Sequence, residues 1–114
     1  MRVVKRSVVV PTPQRISFEI DQVEVARASI YYFKNELHTG ENTRVGAFLE
    51  DVFVKEEYRS RGLGKQIVNL AIEHARQSGA YKLIANSRSS RTNVHEFYKK
   101  LGFSEHGKEF RIDL

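Results

Sequence analysis

The sequence predicts a mixed α+β fold, and three observations lead there. Up to about position 54, apolar side chains alternate or run in β-branched and aromatic stretches. Beyond position 62 they recur every three or four residues. A glycine follows each of the two helical patterns. Alternation is the period of a strand with one buried face, and the longer recurrence is that of a helix with one buried stripe.

Each element has its own signal. Residues 3–10 form a possible first strand, ended by Pro11 and Pro13; prolines supply no ladder donor, so it can only be an edge. Residues 15–21 alternate Ile16, Phe18 and Ile20 on one face. Residues 23–33, rich in β-branched and aromatic side chains, read as a longer strand. The polar stretch 35–43 is a loop, and residues 45–54 (VGAFLEDVFV) are a strand of mixed burial. Ile67, Val68, Ala71, Ile72 and Ala75 mark an amphipathic helix over 62–78, with Gly79 at its cap. Residues 81–85 (YKLIA) are a short buried strand. Val94, Phe97, Tyr98 and Leu101 mark a second helix with Thr92 as N-cap and Gly102 as stop. Residues 103–106 and 110–114 are expected to close the fold as a hairpin.

Size and composition set bounds. With 114 residues the chain fits a single domain, 1–114. No apolar run approaches the length of a membrane span, and residues 1–11 lack the long apolar segment and small-residue cleavage site of a signal peptide. Cysteine is absent, which excludes disulfides, thiolate ligands and cysteine nucleophiles and fits a cytoplasmic protein. His38, His74, His95 and His106 are scattered without metal-ligand spacing, so no metal is expected. The net charge of +5 suits an anionic ligand, nucleic acid or an acidic surface, and selects none of them.

The stretch YRSRGLGK, Tyr58 to Lys65, stands between a strand and a helix. It is not a P-loop: Lys65 is followed by Gln66, and no glycine lies five before Gly64. It is not a dinucleotide fingerprint, because Ile67 occupies the third glycine position. What remains is Arg-x-x-Gly-x-Gly at a helix start. Unpaired N–H groups there carry partial positive charge, glycine allows close approach to a pyrophosphate, and Arg59, Arg61 and Lys65 add charge. The plain alternative is a basic helix cap with glycines for the turn.

The order LEDVFV, KEEYRSRGLGK, amphipathic helix, short strand, EFYKKLGF resembles the GNAT superfamily of acyl-CoA N-acyltransferases. Two marks carry the resemblance: Arg59, Gly62 and Gly64 in the loop, and Phe97, Tyr98, Gly102 and Phe103 late in the chain. It extends from about residue 45 to 114 and is looser before. It implies a mixed, mostly antiparallel sheet with two main helices. The two helices that the family usually places between its first two strands have no room here, since only residues 11–14 are available.

The resemblance also implies roles. Val52, Phe53 and Val54 would pair their backbone with the pantetheine arm of acetyl-CoA, with an amide facing the thioester oxygen. Arg59, Ser60, Arg61, Gly62, Leu63, Gly64 and Lys65 would form the pyrophosphate loop. Arg91 stands where many members carry Asn, which turns expectation from Asn93 to Arg91 as a neighbour of the cofactor. Tyr98 would sit near the sulfur as general acid, or else be a helix-face core aromatic. Glu50 is the candidate base: simple alternation puts it on the face of Val52 and Val54, where apolar neighbours would raise its pKa. Its alternative is a rim carboxylate that binds a cationic substrate, and Asp51 is the reserve base.

The implied activity is acetyl transfer to a primary amine, on a small molecule or a lysine side chain, by direct attack in a ternary complex. A non-catalytic acyl-CoA-binding module and, more remotely, a small basic nucleic-acid-binding protein are the rivals. Glu36, Glu41, Glu50 and Asp51 suggest an acidic acceptor cleft. The alternating Phe110, Ile112 and Leu114 suggest an unpaired edge strand and a homodimer.

Overall fold

The computed structural model describes residues 1–5, 9–34, 44–87 and 90–114. A hairpin begins the sheet: β1 (Gln14–Ile20) and β2 (Val23–Lys34) pair antiparallel across Asp21 and Gln22, whose φ angles are 51° and 65°. Two left-handed residues in a two-residue loop are the hairpin turn whose twist matches that of the flanking strands. β2 pairs antiparallel with β3 (Val45–Val54), and β4 (Ala80–Ala85) joins beyond it, so the order is β1-β2-β3-β4. A 3-10 turn (Glu56–Tyr58) leads to α1 (Leu63–Gln77), and α2 (Thr92–Lys100) follows β4. The result is the expected α+β arrangement, a mostly antiparallel sheet with two helices among the described residues.

The chain divides into two units, Met1–Ile84 and Ala85–Leu114. In the first, one face of the sheet carries the core. Ala26, Ala28, Ile30 and Tyr32 alternate along β2 and are buried, as are Ala47 and Leu49 across from Tyr32 and Ile30. α1 packs on β1, β2 and β3, and its buried stripe is Ile67, Val68, Ala71 and Ala75. Alanines on both partners let the helix lie close, while Ile30, Ile67 and Val68 each contribute about 1.5–3 kcal/mol by leaving water. The Tyr32 hydroxyl lies 2.6 Å from His74 Nδ1 and 3.1 Å from Ser78 Oγ, so its polar end is satisfied at the far end of α1. Tyr32 is thus a core residue, whereas Tyr31 on the other face is 49% exposed.

Three expectations are corrected. Residues 1–5 and 9–13 belong to no strand, and 6–8 lie outside the described residues, so the first strand is β1. Prolines 11 and 13 stop the chain from pairing before Gln14. No strand occurs over 101–114, and the closing hairpin is absent. A hairpin that short, with Glu105, His106, Lys108 and Glu109 between its apolar positions, is marginal without a third strand to pack on. The N-cap of α2 is Arg91, not Thr92, which is the first helical residue.

Gly46 on β3 faces Phe33 on β2. The Phe33 ring lies across the glycine and contacts the Phe48 ring, with centroids 5.2 Å apart. A Cβ at position 46 would clash with the tip of the ring. Gly46→Ala must therefore displace Phe33 and is expected to destabilise the chain by about 1–3 kcal/mol, the usual cost of overpacking. Urea unfolding checks this: the midpoint should fall with an unchanged slope.

Candidate active site

β3 departs from regular pairing where the candidate residues lie. Its partners on β2 run Ala26↔Val54, Arg27↔Phe53, then Ser29↔Glu50. Asp51 and Val52 together oppose the single residue Ala28, which is a β-bulge. Asp51 has φ 53°, a left-handed conformation that costs a residue other than glycine about 1–3 kcal/mol. Arg27 holds it: Nε donates to Asp51 Oδ2 at 2.8 Å and Nη2 to Oδ1 at 3.2 Å.

The bulge changes which side chains share a face. Directly paired residues lie on one side of a sheet, so Glu50 shares a face with Ser29, Arg27 and Phe53. Val54, paired with Ala26, lies on the face covered by α1. The expected grouping of Glu50 with Val52 and Val54 is therefore wrong, because simple alternation does not survive an inserted residue. Glu50 is also exposed rather than set among apolar side chains. Asp51 is a poor base: the hydrogen bond from Arg27, aided by its charge, holds the carboxyl below its ordinary value.

Beyond β3 the chain enters the loop. Arg59 Nε donates to the carbonyl of Val54 at 2.9 Å, tying the loop to the end of the strand. Ser60 (φ 63°) and Gly62 (φ 79°) are both left-handed. Gly62 is the N-cap of α1 and has no side-chain capping bond, and the first turn contains no acidic residue. Lys65 stands in that turn, where the helix dipole disfavours a cation. Arg61 lies over the Tyr58 ring at 5.2 Å. Among the described residues, a Cβ at Gly62 would meet only Gln66 Nε2, at 4.0 Å, so the space beside this glycine is open there. The N–H groups of an uncapped helix start and three cationic residues near it in sequence could hold an anion such as a pyrophosphate.

The second unit contains Arg91 and Tyr98. Tyr98 sits in α2 between Phe97 and Phe103, with centroids at 5.4 and 5.2 Å. Burial raises its pKa, and the charge of Arg91 partly opposes this. The phenol is thus protonated at neutral pH and can donate. No sequence pattern singles out Ser87, whose Oγ is buried without a hydrogen-bond partner among the described residues. His74 is engaged by Tyr32. His38, Glu36 and Glu41 lie outside the described residues. Among the described residues no group of three or more His, Asp or Glu side chains is arranged to hold a metal.

Glu50, Val52, Phe53, Val54 and residues 59–65 are therefore consecutive along one strand, turn and helix start in the first unit, and Arg91 and Tyr98 belong to the second. This arrangement has a counterpart: the acetyltransferase (GNAT) family profile matches residues 11–103. The chain belongs to the GNAT acetyltransferase family. A glucosamine 6-phosphate N-acetyltransferase of Trypanosoma brucei brucei is 39% identical to this GNAT chain over 71 residues, 62% of the chain and 46% of the relative. A thialysine N-epsilon-acetyltransferase of Bos taurus is 33% identical over 73 residues, 64% of the chain and 41% of the relative. The chain thus spans less than half the length of either relative. Among solved structures, a Trypanosoma brucei acetyltransferase superposes with TM-score 0.69 at 34% identity, covering 80% of this chain and 60% of that one.

Ser87 has a stability signature of its own. A buried hydroxyl with no partner carries an uncompensated desolvation penalty of about 1–3 kcal/mol. Ser87→Ala removes the group at little change in volume. The melting temperature of the free protein is expected to stay level or rise, as read by calorimetry; a clear fall would mean that the hydroxyl has a partner.

Proposed function

We propose that this GNAT chain transfers an acetyl group from acetyl-CoA to a primary amine by direct attack in a ternary complex. The observation that carries the reading is the uncapped start of α1. Gly62 is left-handed, acidic side chains are missing from the first turn, and Arg59, Arg61 and Lys65 lie within three residues of it in sequence. A helix start with this charge pattern suits an anion, and CoA brings a pyrophosphate. Family membership makes acyl-CoA the leading source of that anion.

The residues divide the work. Backbone groups of Ser60 to Lys65 hold the pyrophosphate, while Arg59 braces the loop against Val54. The backbone of Val52, Phe53 and Val54 aligns the pantetheine arm, and Arg91 adds positive charge toward the cofactor. The thioester supplies the acetyl group. Glu50 takes the proton that the acceptor ammonium must lose before its nitrogen can attack, directly or through water. Asp51 does not serve as this base, because Arg27 already holds its carboxylate. Tyr98, kept protonated by burial, gives its proton to the departing sulfur.

A sugar amine or a lysine-like side chain is the acceptor class, in keeping with the names of the two relatives. A single domain, a homodimer and a cytoplasmic location complete the reading. Phe110, Ile112 and Leu114 support the homodimer as large apolar side chains left exposed, in a segment that forms no strand. The primary experiment combines a thermal shift with acetyl-CoA and a free-thiol assay over polyamines, amino acids, amino sugars, aminoglycosides and basic peptides. A raised melting temperature with amine-dependent thiol release is expected. Binding without release under any acceptor would make the chain an acyl-CoA-binding module, and no binding would refute the reading.

Tyr98→Phe is expected to lower kcat by about a hundredfold, the ordinary contribution of a positioned acid, and to leave KM for acetyl-CoA near its original value. Steady-state thiol release measures both. A kcat within about twofold of the parent would reduce Tyr98 to packing.

A further inference from the structure

We infer that Arg27, a β2 residue remote in sequence from the cofactor loop, is a positioning residue for acyl transfer, holding the β3 bulge in its reactive geometry. This rests on the reading of β3 as the strand that aligns the acyl-CoA arm.

The bulge is strained, and only its surroundings can maintain it. Asp51 adopts φ 53° inside a strand, and residues in such conformations persist where the neighbouring structure imposes them. Arg27 contacts the bulge from three sides. Its guanidinium makes a two-point bond to the Asp51 carboxylate. Its carbon centre lies 4.5 Å over the ring of Phe53, the residue directly across the ladder. Its remaining edge is 3.9 Å from Glu24, which in turn is held by Arg15 through bonds of 2.9 and 2.8 Å. The guanidinium thus spans the inserted residue, fixing Asp51 on one side and Phe53 on the other. Arg59 anchors the next carbonyl but one from Val52, that of Val54. The stretch 52–54 is thus bounded by the arginine fork on the Asp51 side chain and by a single arginine bond to the Val54 carbonyl.

An exposed ion pair has a simpler explanation, a small contribution to stability. The Arg27 and Asp51 side chains are 29% and 48% exposed, and pairs of that kind contribute little to folding. The two explanations predict different losses. A stabilising pair affects melting and leaves turnover alone. A positioning clamp leaves melting nearly alone and reduces turnover, because a displacement of about 1 Å in a reacting geometry can cost as much as a hundredfold in rate. Lysine at position 27 keeps the charge and loses the planar fork, so it separates charge from geometry.

The test uses the full chain with Arg27→Gln, Arg27→Lys, Asp51→Asn and the double variant Arg27→Gln/Asp51→Asn. Thiol release gives kcat and KM, calorimetry gives acetyl-CoA affinity, and backbone amide resonances of 51–54 report the bulge directly. Both single substitutions at the pair are expected to lower kcat by about tenfold to a hundredfold, with melting within about 5 °C of the parent. Lysine should fail to restore the rate, the double variant should be no slower than either single one, and the amides of 51–54 should shift in all variants. A kcat within about twofold of the parent in both single variants would overturn the inference, as would full rescue by lysine or additive losses in the double variant. Collapse of the melting temperature would also overturn it, by making the pair a folding element. A parent chain that neither binds acetyl-CoA nor releases thiol refutes the proposed function instead. The amide resonances then still judge the clamp: unchanged positions for 51–54 in Arg27→Gln would overturn it.

Discussion

One inserted residue in β3 organises the first unit. Because Asp51 and Val52 together oppose Ala28, the strand changes its relation to the sheet halfway along. Before the bulge, Ala47 and Leu49 point to α1 and help build the core; after it, Val54 returns to that side and Phe53 joins Glu50 on the other. A regular strand would have sent Glu50 and Val54 to the same face. The insertion thus lets one short strand supply core contacts on one face and a carboxylate on the other without a conflict between them. Its cost is a left-handed aspartate, whose carboxylate is held in place by a two-point arginine bond.

The second constraint is electrostatic. Soluble helices usually place acidic or capping side chains at their start, and α1 has neither. Lys65 and the arginines of the preceding turn add positive charge where the helix dipole is already positive. Local rules broken together at one place, beside an open approach, are expected at a functional site. The helix is stable all the same because Ile67, Val68, Ala71 and Ala75 are buried against the sheet, so packing rather than capping holds it. Its N-terminus is therefore free to serve a ligand.

Much of this was legible in the sequence. The stripe from Ile67 to Ala75 and the glycines after both helices located α1 and α2 to within a residue or two, because a helical period and its stop signals are local. The loop was readable for the same reason. Asp51 as a bulge was not: the bulge residue that marks such a turn in sequence is glycine, and an aspartate reads as part of the alternation. The face of Glu50 was lost with it. The Arg27–Asp51 bond joins residues that only the sheet register brings together. Ser87 left no pattern, since burial of a single hydroxyl depends on tertiary packing. The supposed hairpin at 103–114 failed because alternation shows which face could be buried and not whether a partner strand exists.

The account stands on the claim that the start of α1 receives the pyrophosphate of an acyl-CoA, and Gly64→Asp tests it most directly. An aspartate in the first turn favours the helix dipole, so the fold should be as stable as before or more so. The same carboxylate would stand where the pyrophosphate lies. Calorimetric titration with acetyl-CoA is expected to show binding to the parent chain and none to the variant, at equal or higher melting temperature. Equal affinity in both proteins would contradict the account, whatever else the chain proves able to do.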